Sequence, residues 1–142
     1  MVGCNKGETV ATTLPDGSKG EGGACAGNRV TATDVNEDGR ADIEHVDRGG
    51  RIYCTRADMN FDGKFDVERF YESDGVRVAQ ERHDFDFDGQ LDQLSFYEGG
   101  ELVRKELDTN FDNTIDTWLW CSSGWVTKAE RDRQRHGRAD VW

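Results

Sequence analysis

The chain is expected to be all-β, an antiparallel meander of hairpin repeats about 24 residues long, with acidic loops along one edge. Three observations lead there. One phrase, Asp34-Val-Asn36-Glu-Asp38-Gly39-Arg-Ala41-Asp42, returns from Asp58, Asp84 and Asp108 and, worn, from Asp132; the starts lie 24, 26, 24 and 24 residues apart. The segments between are short runs of aromatic and β-branched residues bounded by glycine, too brief for helices. Equal positions of successive repeats also carry apolar residues in two-residue alternation.

Residues 1–24 precede the repeats, and the stretch from Asn5 to Gly23, rich in Gly, Thr and Ser, reads as a flexible tether. Residues 25–142 then form one repeat domain. After each loop a strand runs out, turns on glycine and runs back. Val67 to Tyr71, the turn at Asp74-Gly75 and Val76 to Arg82 make one such hairpin, and Gln93 to Tyr97, Gly99-Gly100 and Glu101 to Leu107 make the next. Gly49-Gly50 and Ser123-Gly124 mark the equivalent turns. Val46, Phe70, Phe96 and Trp120 hold one repeat position; Glu44, Glu68, Leu94, Trp118 and Trp142 hold the position two residues earlier, on the same face; Ile52, Val78, Leu102 and Val126 hold a third. Such positions stack into stripes across a sheet. The 26-residue repeat gains two residues, which leaves every side chain on its own face. An open sheet and a barrel-like closure both fit, with the strand ending at Trp142 available to cap an open edge.

The loop carries the chemistry. Oxygen-bearing residues stand at positions 1, 3, 5 and 9: Asp34, Asn36, Asp38 and Asp42; Asp58, Asn60, Asp62 and Asp66; Asp84, Asp86, Asp88 and Asp92; Asp108, Asn110, Asp112 and Asp116. A hard cation such as Ca²⁺ takes six to eight oxygens, and a tight turn can supply several. Gly39, Gly63 and Gly89 at position 6 allow the positive φ that the turn needs, and Asn113 is the best-tolerated substitute. Position 8 is always apolar, and Phe61, Phe87 and Phe111 at position 4 are expected to brace neighbouring loops. Asp and Asn followed by Gly also form plain turns. Four alternating oxygen positions exceed what a turn requires, however, and crowded carboxylates repel unless a cation neutralises them.

These residues resemble the EF-hand-type calcium loop and its shorter relatives in dockerins and thrombospondin type 3 repeats, over residues 34–140. The resemblance implies about four calcium sites in a secreted bacterial protein or lipoprotein. The position-12 Glu of an EF-hand is replaced by His45, Arg69, Ser95 and Leu119, so the EF-hand helices are not expected. Position 9, a neighbouring loop and water are the open sources of the missing donor. The fifth copy keeps Asp132, Gly137 and Asp140 but places Gln134 and His136 among four arginines, and is read as decayed.

The chain of 142 residues carries a net charge of −11 from 29 acidic and 18 basic residues, which argues against a nucleic-acid partner. Four Ca²⁺ would add +8 and leave −3. Folding is expected to depend on calcium. Met1-Val2-Gly3-Cys4 resembles the end of a bacterial lipobox, implying a lipid on Cys4, with an ordinary cysteine as the alternative. Four cysteines allow three pairings, and Cys25–Cys54, on adjacent hairpins, is preferred. No C-x₂₋₄-C spacing suggests zinc, and no apolar run is long enough for a spanning helix.

The leading expectation is a calcium-binding structural or interaction module, outer-membrane-anchored, periplasmic or secreted, serving adhesion or protein–protein assembly. A carbohydrate-binding module is the alternative, using Tyr71, Tyr97, Trp118, Trp120, Trp125 and Trp142. A glycan-acting enzyme comes further behind, because paired carboxylates are inevitable among 29 acidic residues and no nucleophile–base motif accompanies them. No catalytic residue is assigned. A helix-based calcium sensor fits least, with two Met and no helical periodicity.

Overall fold

A computed structural model of the chain describes residues 24–134. The segment 1–23, with Cys4, and residues 135–142, with most of the fifth loop and Trp142, lie outside the described residues. Nine strands follow in order: β1 (Arg29–Thr33), β2 (Ile43–Arg48), β3 (Arg51–Ala57), β4 (Val67–Tyr71), β5 (Val78–His83), β6 (Gln93–Glu98), β7 (Glu101–Leu107), β8 (Thr117–Ser122) and β9 (Trp125–Arg131). They make one open antiparallel meander in which each strand pairs with its sequence neighbours, and the described residues contain no helix. The repeat period thus becomes two strands of lateral advance. The four acidic loops line one end of the strands and the four hairpin turns the other.

The turn end follows from local chemistry. Two-residue hairpin turns whose twist matches the strands need positive φ at both central positions. Gly49 and Gly50 supply it at φ 61° and 81°, and Gly99 and Gly100 at 59° and 87°. The insertion of the long repeat sits in the wider turn Glu72–Arg77, so β5 begins at Val78 and Val76 is a 75% exposed turn residue rather than the start of a strand. The register beyond this turn is kept, as a two-residue insertion requires. Each hairpin also carries a bulge at one repeat position, after Val46, Phe70, Phe96 and Trp120, a regularity that gives the sheet a repeated local twist.

A single sheet has no second layer to cover its apolar row, so long cationic side chains do this instead. Val46, Cys54 and Phe70 are at most 2% exposed, joined by Cys25. Arg82 lies 4.5 Å over Phe70, Arg104 4.6 Å over Phe96, and Lys128 4.8 Å over Trp120. The carboxylates of Glu68, Glu106 and Glu130 pair with these three cations. The ladder expected at these positions is therefore present but partly charged: Arg56, Arg82 and Glu106 interleave with Glu44, Glu68 and Leu94 across directly opposite pairs. Trp118 and Trp120 are half-buried, whereas Trp125 and Val126 on the last strand are 75% and 56% exposed.

The disulfide Cys25–Cys54, with Cα atoms 5.8 Å apart, fastens the segment before β1 to the sheet. Gly27 sits in the close approach this creates, where a Cβ would fall 2.2 Å from the Asp47 carbonyl oxygen. Closing a loop of this length removes about 3.6 kcal/mol of unfolded-chain entropy. Cys121 is a buried thiol, pushed up in pKa by that burial.

Candidate metal centre

The register continues one residue into every loop. Because Ile43 pairs with Ala57 and Ala57 with Val67, Asp42, Asp58 and Asp66 stand opposite one another, and the pattern repeats through Asp84, Asp92, Asp108, Asp116 and Asp132. Main-chain bonds hold the row: the N–H groups of Asp58, Asp84 and Asp108 donate to the carbonyls of Asp42, Asp66 and Asp92, each at 2.8 Å. These eight aspartates are 2–6% exposed. Like charges directly opposite destabilise a sheet, so the row needs positive charge or N–H donors.

Each loop supplies part of that need itself. In the third loop Asp84 accepts the N–H groups of Phe87 and Gly89, Asp86 that of Asp88, and Asp88 that of Gln90. Asp92 reaches back with Oδ2 to the N–H groups of Phe85 and Asp86. The first, second and fourth loops repeat this plan, with Asp34, Asp58 and Asp108 at its centre and Asp42, Asp66 and Asp116 closing it. Position 6 carries the positive φ expected: 93° at Gly39, 94° at Gly63, 93° at Gly89 and 70° at Asn113.

Position 4 corrects the sequence reading. Phe61, Phe87 and Phe111 are 44%, 41% and 49% exposed and do not brace neighbouring loops through burial. They stand at φ 63°, 63° and 59°, and Glu37 in the first loop at 62°. A second left-handed residue per loop is what curls the carboxylates inward. No sequence cue marked it, since Phe is an unusual residue there.

The assigned oxygen residues divide into two layers. Positions 1 and 9 lie at the buried base, with Asp34 the less covered end member; Asn36, Asp38, Asn60, Asp62, Asp86, Asp88, Asn110 and Asp112 lie at the exposed tips. Asp34, Asp38 and Asp42 bring carboxylate oxygens within 4.8 Å of one another, as do Asp84, Asp86 and Asp88. These two groups could hold metal ions. Burial, with Asp58 and Asp62 nearby, raises the pKa of Asp66, and burial with Asp84 and Asp108 nearby raises that of Asp92. Asp38 is lowered instead, chiefly by the N–H of Arg40. In the third loop Asp92 Oδ1 is buried and accepts no hydrogen bond.

No protein-family model matches the chain, and no curated protein matches it. A solved structure, "Crystal structure of accessory secretory protein 1,2 and 3 in Streptococcus pneumoniae", is similar to it with a TM-score of 0.51 and 15% identity, covering 70% of this chain and 19% of that one. The chain thus spans about a fifth of the length of that protein, and the likeness is one of fold. The disulfide suggests an extracytoplasmic setting, and no helix among the described residues is long and apolar enough to cross a membrane.

Proposed function

We propose that the protein is a cation-stabilised β-repeat module of an extracytoplasmic assembly, with calcium in the acidic loops fixing the end of the sheet for adhesion or protein–protein contact. The observation that carries this reading is Asp92 Oδ1. A buried carboxylate oxygen without a donor is costly, and here it belongs to a loop whose other three carboxylates already converge. Asp92 closes the same loop from outside that group, and an ion drawn inward from Asp84, Asp86 and Asp88 would satisfy it. An all-oxygen donor set on a flexible loop suits Ca²⁺ better than Mg²⁺, which demands a tighter octahedron. Position 9 then supplies the donor that an EF-hand takes from position 12. The first and third loops are the best-formed sites, and the second offers Asp58, Asn60, Asp62 and Asp66.

The carbohydrate alternative draws less support. Lys128 lies over Trp120, and the Tyr97 hydroxyl bonds to Glu81, so these groups are engaged within the sheet rather than arrayed as an open platform. An extracytoplasmic position, soluble or anchored through a lipid, agrees with the disulfide. Equilibrium dialysis against calcium in excess magnesium tests the metal reading: retention of at least two ions per chain is expected, and no retention would overturn it.

A further inference from the structure

We infer that Arg131 sets the metal selectivity of the loop row by acting as a built-in cation for the fourth loop, which therefore takes no ion where the third does. This deepens the metal reading above and rests on it.

The register places one residue of the following strand beside the closing aspartate of each loop. It is Ala57 for the first, His83 for the second, Leu107 for the third and Arg131 for the fourth. A guanidinium, exposed but hydrogen-bonded to the loop, thus stands only at the fourth of these positions. Arg131 Nη2 donates to Thr109 Oγ1 at 3.0 Å. Guanidinium is a donor only, so the Thr109 hydroxyl keeps its own hydrogen for Asp116, whose oxygens lie 2.8 and 2.9 Å away. The Thr117 hydroxyl donates to Asp116 Oδ1 as well, and the Thr109 N–H to Oδ2. Both oxygens of Asp116 are thereby satisfied from within the protein.

The third loop keeps the N–H contacts to Oδ2 but lacks the hydroxyl donors and the guanidinium. Phe85 and Gln93 occupy the places of the two threonines, and Asp92 Oδ1 is left without a donor. Asp86 also gives way to Asn110 in the fourth loop, removing one carboxylate. The groove between Asn110, Asp116, Arg131, Asp132 and Arg133 puts two guanidinium-bearing residues beside the fourth loop. Positive charge at this range opposes a divalent cation. Arg131, the last residue of β9, thus lends its charge to the loop before it.

The test is a calcium titration of the ¹⁵N-labelled full chain, reading the Gly89 amide for the third loop and the Asn113 amide for the fourth. In the wild type Gly89 should shift at calcium concentrations at least tenfold below any that move Asn113. In Arg131→Gln, and more so with Arg133→Gln added, Asn113 should respond and one further ion should bind. If Asn113 follows Gly89 in the wild type, the inference falls while the metal reading stands. If neither amide responds, the inference falls, and if the Gly39 amide of the first loop is silent as well, the metal reading falls with it. If Asn113 stays silent in a variant whose strand amides keep their wild-type positions, Arg131 is not the determinant. The wild-type comparison alone decides should the variants not fold.

Discussion

The third and fourth loops share a plan and differ in how they resolve the same problem. Both bury an aspartate at each end, 2–6% exposed, and both hold it by main-chain N–H groups. The third keeps four carboxylates, leaves a buried oxygen without a donor and has Leu107 beside it. The fourth replaces one carboxylate with Asn110, surrounds Asp116 with two threonine hydroxyls and places Arg131 alongside. A loop that could hold an ion and a loop whose aspartate is satisfied from within the protein thus occupy equivalent places in one sheet. What separates them is the local supply of donors and positive charge, which a motif alone does not report.

The largest expected effects come from swapping the closing aspartates. Asp116→Asn should destabilise the chain by about 1–3 kcal/mol, because the new amide hydrogens face hydroxyl donors, with little change in calcium affinity. Asp92→Asn should do the reverse: a calcium midpoint at least tenfold weaker, about 1.4 kcal/mol, with metal-free stability unchanged or higher. Chemical denaturation in EDTA and in calcium reads both. Equal behaviour of the two variants would erase the distinction.

The hinge residue sharpens the same contrast. Gly89 stands at φ 93°, so Gly89→Ala should cost about 1–2 kcal/mol, whereas Asn113→Gly should change stability by less than about 0.5 kcal/mol, since Asn already tolerates φ 70°. Melting temperatures of the two variants provide the check.

A pH series in EDTA separates the causes. Burial raises the Asp92 pKa in the fold, so the folded form takes up a proton at higher pH than the unfolded chain. Charged Asp92 therefore costs stability at neutral pH, and the cost disappears as pH falls through the raised value to below 3.8. The advantage of Asp92→Asn over wild type should shrink across that window. Glu81 behaves oppositely. Hydrogen bonds from His83 and Arg69 hold it at about 2, so its contribution is present above 4.5 and lost as pH falls toward about 2. The smallest effect is expected at the loop tips, where Phe87→Asn should stabilise the metal-free chain by about 0.5 kcal/mol by easing a left-handed aromatic residue.

Much of the fold was legible in the sequence because the period, the glycine turns and the strand alternation agree. A two-residue insertion between Asp58 and Asp84 could be read as leaving the faces unaltered, while its place in the turn before Val78 came from the structure. The pairing Cys25–Cys54 is the preferred one and the structure contains it, although Cys25 lies in the segment before β1 rather than on a hairpin. Other features depend on three dimensions. The alignment of the closing and opening aspartates into one buried row arises from register, as does the place of Arg131 beside Asp116. Arginines over Phe70 and Phe96 replace a second layer, so charged residues occupy positions that a binary pattern assigns to the surface. Phe61 and Phe87 mislead in the other direction, being apolar residues left exposed by the left-handed turn.

The most direct test of the central claim is a thermal melt of the intact chain in EDTA and in millimolar calcium, with magnesium as control and bound metal counted. The account predicts a calcium-specific rise worth about 2.7 kcal/mol per occupied site at a hundredfold excess over Kd. Superimposable melts with no metal retained would contradict it and leave the acidic loops as hydrogen-bonded turns.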